Sequence, residues 1–268
     1  NKHLIPVCDK PMIYYSLSTL LLCGVRDILI ITTKSSLNLF NKLLGDGAQW
    51  GINLSYEVQE KSEGVSHAIS LGEEFVGDKE VVAILGDNIF HGSDLVSFLR
   101  AADSAAEGAT VFAYPVKDPR MYGVVNFDGK GNIISLEEKP SDLKSKYAIT
   151  GLYFFDNSIF NRIRALNYSS RNEIEITSLN SSYLRDGLLK IEIMSRGMAW
   201  FDAGTFDSLK DTSTYISSLQ LRQGLKVGCP EEISWRQGWI DDYQLVKLAD
   251  QLISSGYGDY LLGLLERK

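Results

Sequence analysis

Histidine and cysteine are scarce in this chain, three of each, and neither is clustered. His3, His67 and His91 lie too far apart for a local zinc motif. Cys8, Cys23 and Cys229 are odd in number and widely spaced, so they form neither a disulfide framework nor a CxxC pair and are read as packing residues in a reducing compartment. No apolar run approaches the roughly 18 residues that a membrane span needs, and Asn1 does not open a signal peptide. The expectation is a cytoplasmic protein with no membrane partner. Positive charge is also short: 27 Lys and Arg face 34 Asp and Glu, and a net charge of -7 offers no electrostatic footprint for nucleic acid. A phosphate ligand would have to be held by a few placed cations. The G-x-S-x-G elbow and the Walker lysine loop are missing too, which removes the usual signatures of acyl transfer and P-loop phosphoryl transfer. GDGAQWG at 45–51 imitates a dinucleotide fingerprint, but its glycine spacing is off by one and it follows a helix and precedes a strand, so it reads as a loop.

What is present is an ordinary globular composition, 44% hydrophobic and 23% charged over 268 residues, enough for a sizeable core. Helical spacing of apolar residues runs from Met12 to Leu21, with Pro11 suited to the first turn and Gly24 to the end. Strands are predicted at 27–32, 53–59 and 81–85, and helices at 35–44, 64–75 and 95–106. That alternation predicts an α/β fold with a mostly parallel sheet flanked by helices. Past Ala109 the pattern turns strand-rich, at 110–116, 123–127, 133–138 and 148–155, with DGKGN at 128–132 as a hairpin loop; this predicts added antiparallel strands. Helices are predicted at 159–166, 174–184 and 205–221, a strand at 189–195, and amphipathic helices from Cys229 onward.

Four stretches can carry chemistry: residues 2–15, Gly86-Asp87-Asn88, Ser135 to Pro140 (SLEEKP), and Trp200 to Thr205 (WFDAGT). Asp87 stands one step beyond an apolar strand, where open α/β sheets bind ligands. Taken alone, Gly-Asp-Asn also reads as a plain turn, Glu-Glu-Lys-Pro as a solvated strand edge, and Asp202 as a helix cap. Taken together, two aspartates at strand ends can hold one hard divalent cation while lysines neutralise phosphate oxygens.

In order and wording, KHLIPVCDKPMIYYSLSTLLLCG, LGDNIFHG, YGVVNFD, SLEEKP, TGLYFFD, EIEITSLN and WFDAGTFDSL resemble the glucose-1-phosphate thymidylyltransferases of bacterial dTDP-sugar synthesis across nearly the whole chain. The resemblance implies a Rossmann-like nucleotidyltransferase core over residues 1–221, with nucleotide-binding and sugar-binding portions. It also implies a C-terminal helical part, 222–268, used in assembly as a homotetramer. Asp87 and Asp202 would be the Mg2+ ligands, and Lys2 would face the nucleotide phosphates. Gln59 and Gly64 would read the thymine base of dTTP, with Leu85 as an apolar wall. Tyr122, Gly123, Glu138, Lys139, Ile149, Tyr153 and Arg171 would surround glucose 1-phosphate, Glu138 accepting sugar hydroxyls while Lys139 and Arg171 hold the phosphate. The implied reaction is in-line attack of the sugar phosphate on the α-phosphorus of dTTP, giving dTDP-glucose and pyrophosphate.

The sequence departs from the family in ways that matter. A strand and a G-x-G-T-R-L loop precede the lysine segment in the family, and Asn1 falls after them. The expectation is a truncated piece of a longer protein, nearly inactive alone for want of that phosphate cradle. Glu60 to Glu63 replace a proline-containing stretch ending in Asp, His67 stands where Gln is common, and Ala203 where Thr is common. Two alternatives stay open: a nucleotidyltransferase with another sugar or base preference, and a catalytically impaired binding or regulatory subunit.

Overall fold

The computed structural model describes residues 1–103 and 107–266. A 3-10 turn at Lys2–Leu4 leads into a short antiparallel ribbon, β1 (Pro6–Val7) against β2 (Lys10–Pro11), and then α1 (Ile13–Leu22). β3 (Asp27–Thr32), α2 (Lys34–Leu44) and β4 (Asn53–Val58) follow in the predicted order. The single helix predicted at 64–75 is two, α3 (Val65–Ser70) and α4 (Glu73–Val76), because the chain leaves helical geometry at Gly72, the N-cap of α4. Next come β5 (Val81–Ile84), β6 (Asn88–His91) and α5 (Leu95–Asp103); the last three positions of the helix predicted at 95–106 lie outside the described residues. β7 (Ala109–Pro115), β8 (Gly123–Phe127), β9 (Ile133–Glu138) and β10 (Tyr147–Phe155) form the strand-rich middle. α6 (Ile159–Arg164), α7 (Ile176–Arg185), β11 (Leu189–Ile193), β12 (Ala199–Asp202) and α8 (Phe206–Gln223) lead to the tail helices α9 (Pro230–Arg236), α10 (Asp242–Leu252) and α11 (Tyr257–Glu266).

Contacts divide the chain into two units, residues 1–56, 86–91 and 201–268 in one, and 57–85 and 92–200 in the other. In the first, Val7, Met12, Tyr15, Ile89, Ala203 and Ile216 make a small buried cluster, which draws the chain start, β6 and α8 together. The Tyr15 hydroxyl donates to the Val7 carbonyl at 2.7 Å, satisfying a polar tip inside that cluster. The tail helices are anchored in the same unit. Glu231 is 3% exposed, and its carboxylate accepts from the Trp50 indole at 3.2 Å and from the Tyr257 hydroxyl at 3.0 Å. All three cysteines are free, as their spacing predicts, and burial pushes the Cys229 thiol well above its ordinary pKa.

The second unit is built on β10. Eight of its nine residues are buried, an apolar run covered on both faces. The sheet order is β11-β7-β10-β8-β9, with β5 also on β10. The sheet is mixed, with the added antiparallel strands expected from the strand-rich middle: β11 runs parallel to β7, whereas β10 is antiparallel to β5, β7 and β8, and β8 to β9. The reason is the length of β10, which pairs β8 through Tyr147 and Ala148, passes an irregularity between Ile149 and Tyr153, and then pairs β5. The hairpin at 128–132 is confirmed, with Asp128 Oδ1 accepting from the backbone of Lys130 and Asn132, both at 2.8 Å. Val111, Val125, Phe155, Ile159, Leu179 and Tyr183 fill the core between the sheet and α6 and α7.

Candidate active site

The first unit carries the two aspartates. β5 ends at Ile84, and after Gly86 the chain turns so that Asp87 precedes β6 directly. β6 pairs β12, and the Ala203 N–H donates to the Asp87 carbonyl at 2.9 Å, so the backbones that carry Asp87 and Asp202 run side by side. Asp87 is 8% exposed. Its Oδ2 accepts from the Lys2 ammonium and its Oδ1 from the Asn88 amide at 3.0 Å. Burial on its own would raise the Asp87 pKa; the hydrogen bond and charge of Lys2, with His3 and Asn88, outweigh burial and hold the carboxyl below its usual value. Burial lowers the pKa of His3, which Asp87 only partly opposes. Asp202 does not cap α8: that place belongs to Thr205, whose hydroxyl accepts from the Ser208 N–H at 3.2 Å.

Among the described residues no cluster of three or more His, Cys, Asp or Glu side chains could cage a metal. A pair of carboxylates is nevertheless the donor set that suits Mg2+, which binds through one or two carboxylates and completes its shell with water and substrate phosphates. Asp87 meets the further requirement of being held ionised. Lys2, expected to face nucleotide phosphates, is seated on the Asp87 carboxylate with its side chain 46% exposed.

The residues assigned to sugar phosphate and base all fall in the second unit. Glu138 ends β9 opposite Gly123 of β8. One Glu138 oxygen accepts from Arg171 at 2.9 Å and the other from the Thr177 hydroxyl. A Cβ on Gly123 would sit 2.8 Å from Thr177 Oγ1, so glycine leaves that hydroxyl room to reach Glu138. Lys139 takes a positive φ of 44°, rare for a side-chain-bearing residue, and its N–H donates to the Tyr122 carbonyl at 3.0 Å. The Tyr122 ring meets Trp200 edge-on at 5.2 Å. Ile149 and Tyr153 are core residues, 7% and 3% exposed, and Tyr153 stacks on Phe155. Leu85 packs against the same cluster, and its N–H donates to the Gly151 carbonyl at 2.8 Å.

Arg171 is the hub of this group. It donates from Nε to Glu175 Oε1 at 3.0 Å and from Nη2 to Glu175 Oε2 at 2.7 Å, a forked grip that fixes the guanidinium plane. Ser169 adds a hydroxyl donor to Glu175 at 2.7 Å. The loop carrying Arg171 is tied to the loop carrying Gln59 and Gly64, because the Ile174 N–H donates to the Glu63 carbonyl at 2.8 Å. Gly64, with φ of 94°, permits that approach: a Cβ there would lie 2.7 Å from the Ile174 carbonyl oxygen. The predicted base-reading and sugar-phosphate residues are therefore joined in one structure. Glu175 and Thr177 were not assigned roles from sequence. Their only local signal was the EIEITSLN string at 173–180, with Glu175 four residues after Arg171.

These features are those of a nucleotidyl transferase: residues 1–218 match the family of that name, and the chain belongs to it. Within it, the chain falls among the glucose-1-phosphate thymidylyltransferases. It is 52% identical to the enzyme of that name from Mycolicibacterium smegmatis, over 100% of this chain and 93% of the relative. It is likewise 52% identical to the one from Xanthomonas campestris, over 100% of this chain and 90% of the relative. A Bacillus anthracis crystal structure, described as a glucose-1-phosphate thymidylyltransferase in complex with sucrose, is 41% identical and superposes with a TM-score of 0.74, covering 80% of this chain and 86% of that one. A UDP-glucose pyrophosphorylase at 22% identity and a TM-score of 0.68, covering 81% of this chain and 90% of that one, shares the Rossmann-like fold.

Proposed function

We propose that this protein transfers a thymidylyl group from dTTP to glucose 1-phosphate, forming dTDP-glucose and pyrophosphate. The observation that carries the reading is the Arg171, Glu138 and Glu175 cluster locked to the Gln59 and Gly64 loop, a cationic anchor and a base reader in one frame. It agrees with the name borne by relatives at 52% identity. Arg171 and Lys139 orient the sugar phosphate, Glu138 accepts sugar hydroxyls, and Gln59 with Gly64 fixes the nucleoside. An already ionised phosphate oxygen attacks the α-phosphorus in line, so the protein's work is positioning and charge neutralisation and no general base is required. Lys2 neutralises phosphate oxygens of the nucleotide. Asp87 and Asp202 would hold Mg2+, which when bound supplies further neutralisation of the reacting phosphates.

Full-length protein with Mg2+ is expected to release pyrophosphate from dTTP and glucose 1-phosphate faster than from other members of a nucleotide and sugar-phosphate panel. No release with any pair would overturn the reading and leave a binding or regulatory subunit. The same reading assigns the protein to the cytoplasm and to a homotetramer assembled through residues 222–268. Tyr243, 78% exposed on α10, supplies apolar surface for that purpose. Light scattering is expected to give four times the chain mass, and a monomer at micromolar concentration would refute the assembly.

A further inference from the structure

We propose that Glu63 and His67 lock the Gln59 side-chain amide in one orientation. It then presents its oxygen to the nucleotide base and selects pyrimidines bearing a hydrogen on N3, thymine and uracil, over cytosine. The inference rests on the assignment of Gln59 to the base and adds the device that sets what Gln59 can read.

The argument is one of hydrogen-bond polarity. Gln59 Nε2 lies 3.2 Å from the Gly64 carbonyl oxygen and 3.0 Å from His67 Nδ1. A carbonyl oxygen only accepts, so the amide atom that faces it is the nitrogen. Its two hydrogens are then assigned, one to Gly64 and one to Nδ1. Nδ1 must accept, which puts the imidazole hydrogen on Nε2, and His67 Nε2 lies 3.3 Å from the Glu63 carboxylate, another pure acceptor. The relay thus begins and ends on groups that cannot donate. Turning the amide over would set two oxygens against each other at Gly64 and would call the imidazole hydrogen away from Glu63. Only one arrangement satisfies every member.

The backbone builds the relay. Gly64 is the N-cap of α3, so Glu63 and His67 stand four residues apart across the first turn, the spacing at which side chains meet. The Glu63 backbone is pinned by Ile174, and the Tyr168 hydroxyl donates to the Glu63 carboxylate at 3.4 Å. With Nε2 fully used, the Gln59 oxygen is the atom left for a ligand, and it can only accept. Thymine and uracil offer N3–H to it. Cytosine turns a lone pair toward it, a repulsive pairing that supplies discrimination by rejection as well as by attraction.

The test is calorimetric titration of wild type, His67→Phe, His67→Gln and Gln59→Ala with dTTP and dCTP in the presence of Mg2+, with thermal melting alongside. Wild type is expected to prefer dTTP, and His67→Phe to lose about tenfold of the dTTP to dCTP affinity ratio, as the amide is left held by Gly64 alone and turns more readily. His67→Gln is expected to keep the ratio, since glutamine can accept from Gln59 with its oxygen and donate to Glu63 with its nitrogen. If His67→Phe does not fold, Glu63→Ala frees the imidazole to take the other tautomer and is expected to lower the ratio in the same direction. A ratio unchanged in His67→Phe or Glu63→Ala but lost in Gln59→Ala overturns the relay and leaves the base assignment standing. A ratio unchanged in Gln59→Ala, or equal binding of both nucleotides by wild type, overturns the base assignment itself.

Discussion

Asp87→Asn is expected to lower turnover at least about a hundredfold while the chain stays folded. The substitution keeps the shape of the side chain and an oxygen that can still accept from Lys2 or Asn88. What it removes is the charge. Asp87 is buried, its carboxyl is held below its usual pKa against the cost of burial, and it sits beside the backbone of Asp202, which is what the proposed Mg2+ site requires of it. An amide is a poor substitute for a carboxylate toward Mg2+. The stability cost is modest: Lys2 is nearly half exposed, and an ion pair with one solvated partner is worth about 1 kcal/mol or less. The measurement is kcat at saturating substrates together with the melting temperature. Wild-type turnover in a folded variant would return Gly86-Asp87-Asn88 to the status of a turn.

Arg171→Ala is expected to raise KM for glucose 1-phosphate by about one to two orders of magnitude, with a smaller effect on KM for dTTP. The guanidinium is held flat by two bonds to Glu175, so its remaining donors face in a fixed direction. Removing it also leaves Glu175, 8% exposed, without its cation. A fully buried carboxylate stripped of its partner costs about 3–5 kcal/mol, but the Arg171 side chain is 38% exposed, and about 1–2 kcal/mol is the reasonable figure. The loss has a pH signature. Burial would raise the Glu175 pKa, yet the hydrogen bond from Arg171 and that from Ser169, with the charges of Arg171 and Lys139, lower it. A carboxyl whose folded pKa is depressed contributes stability that is present above its unfolded pKa, near 4.5, and is lost as the pH falls through the folded value. The gap between wild type and Arg171→Ala in urea midpoint should therefore be full at pH 7 and narrow toward pH 3. Equal KM values for glucose 1-phosphate, or a gap independent of pH, would count against the role given to Arg171.

Much of the local structure was legible in the sequence. β3, β8 and β9 occupy the predicted residues, because continuous β-branched runs and a Gly-rich hairpin are signals contained within a few positions. α2, α6 and α7 depart by two residues or fewer at either end, as expected where helix termini fray and only their periodicity is encoded. The split of 64–75 into α3 and α4 was missed because Gly72 sits inside an apolar period that continues past it. Which strands pair within the mixed sheet was not legible, for a deeper reason. β-α alternation reports the connections between strands, while β10 pairs across more than sixty residues with β5, and no local pattern records such a partner.

The same division runs through the site. Asp87, Asp202 and Glu138 could be singled out as chemistry-bearing residues from short strings, since each string is a contiguous strand end or loop, whereas Arg171 lies in none of them and came only with the family resemblance. That Asp202 does not cap the helix after it, that Lys2 lies on Asp87, and that Glu175 and Thr177 complete the Arg171 cluster follow only from the folded chain. His67 was visible in the sequence merely as an unusual residue; that it lies between Gln59 and the Glu63 carboxylate follows only from the folded chain. By itself, the sequence determined most of the longer elements, the family and the residue types available for chemistry, because these depend on local period and on wording in order. Tertiary structure alone decided which strand meets which and which donor faces which acceptor, because a side chain's partner is chosen by burial and geometry across the whole fold.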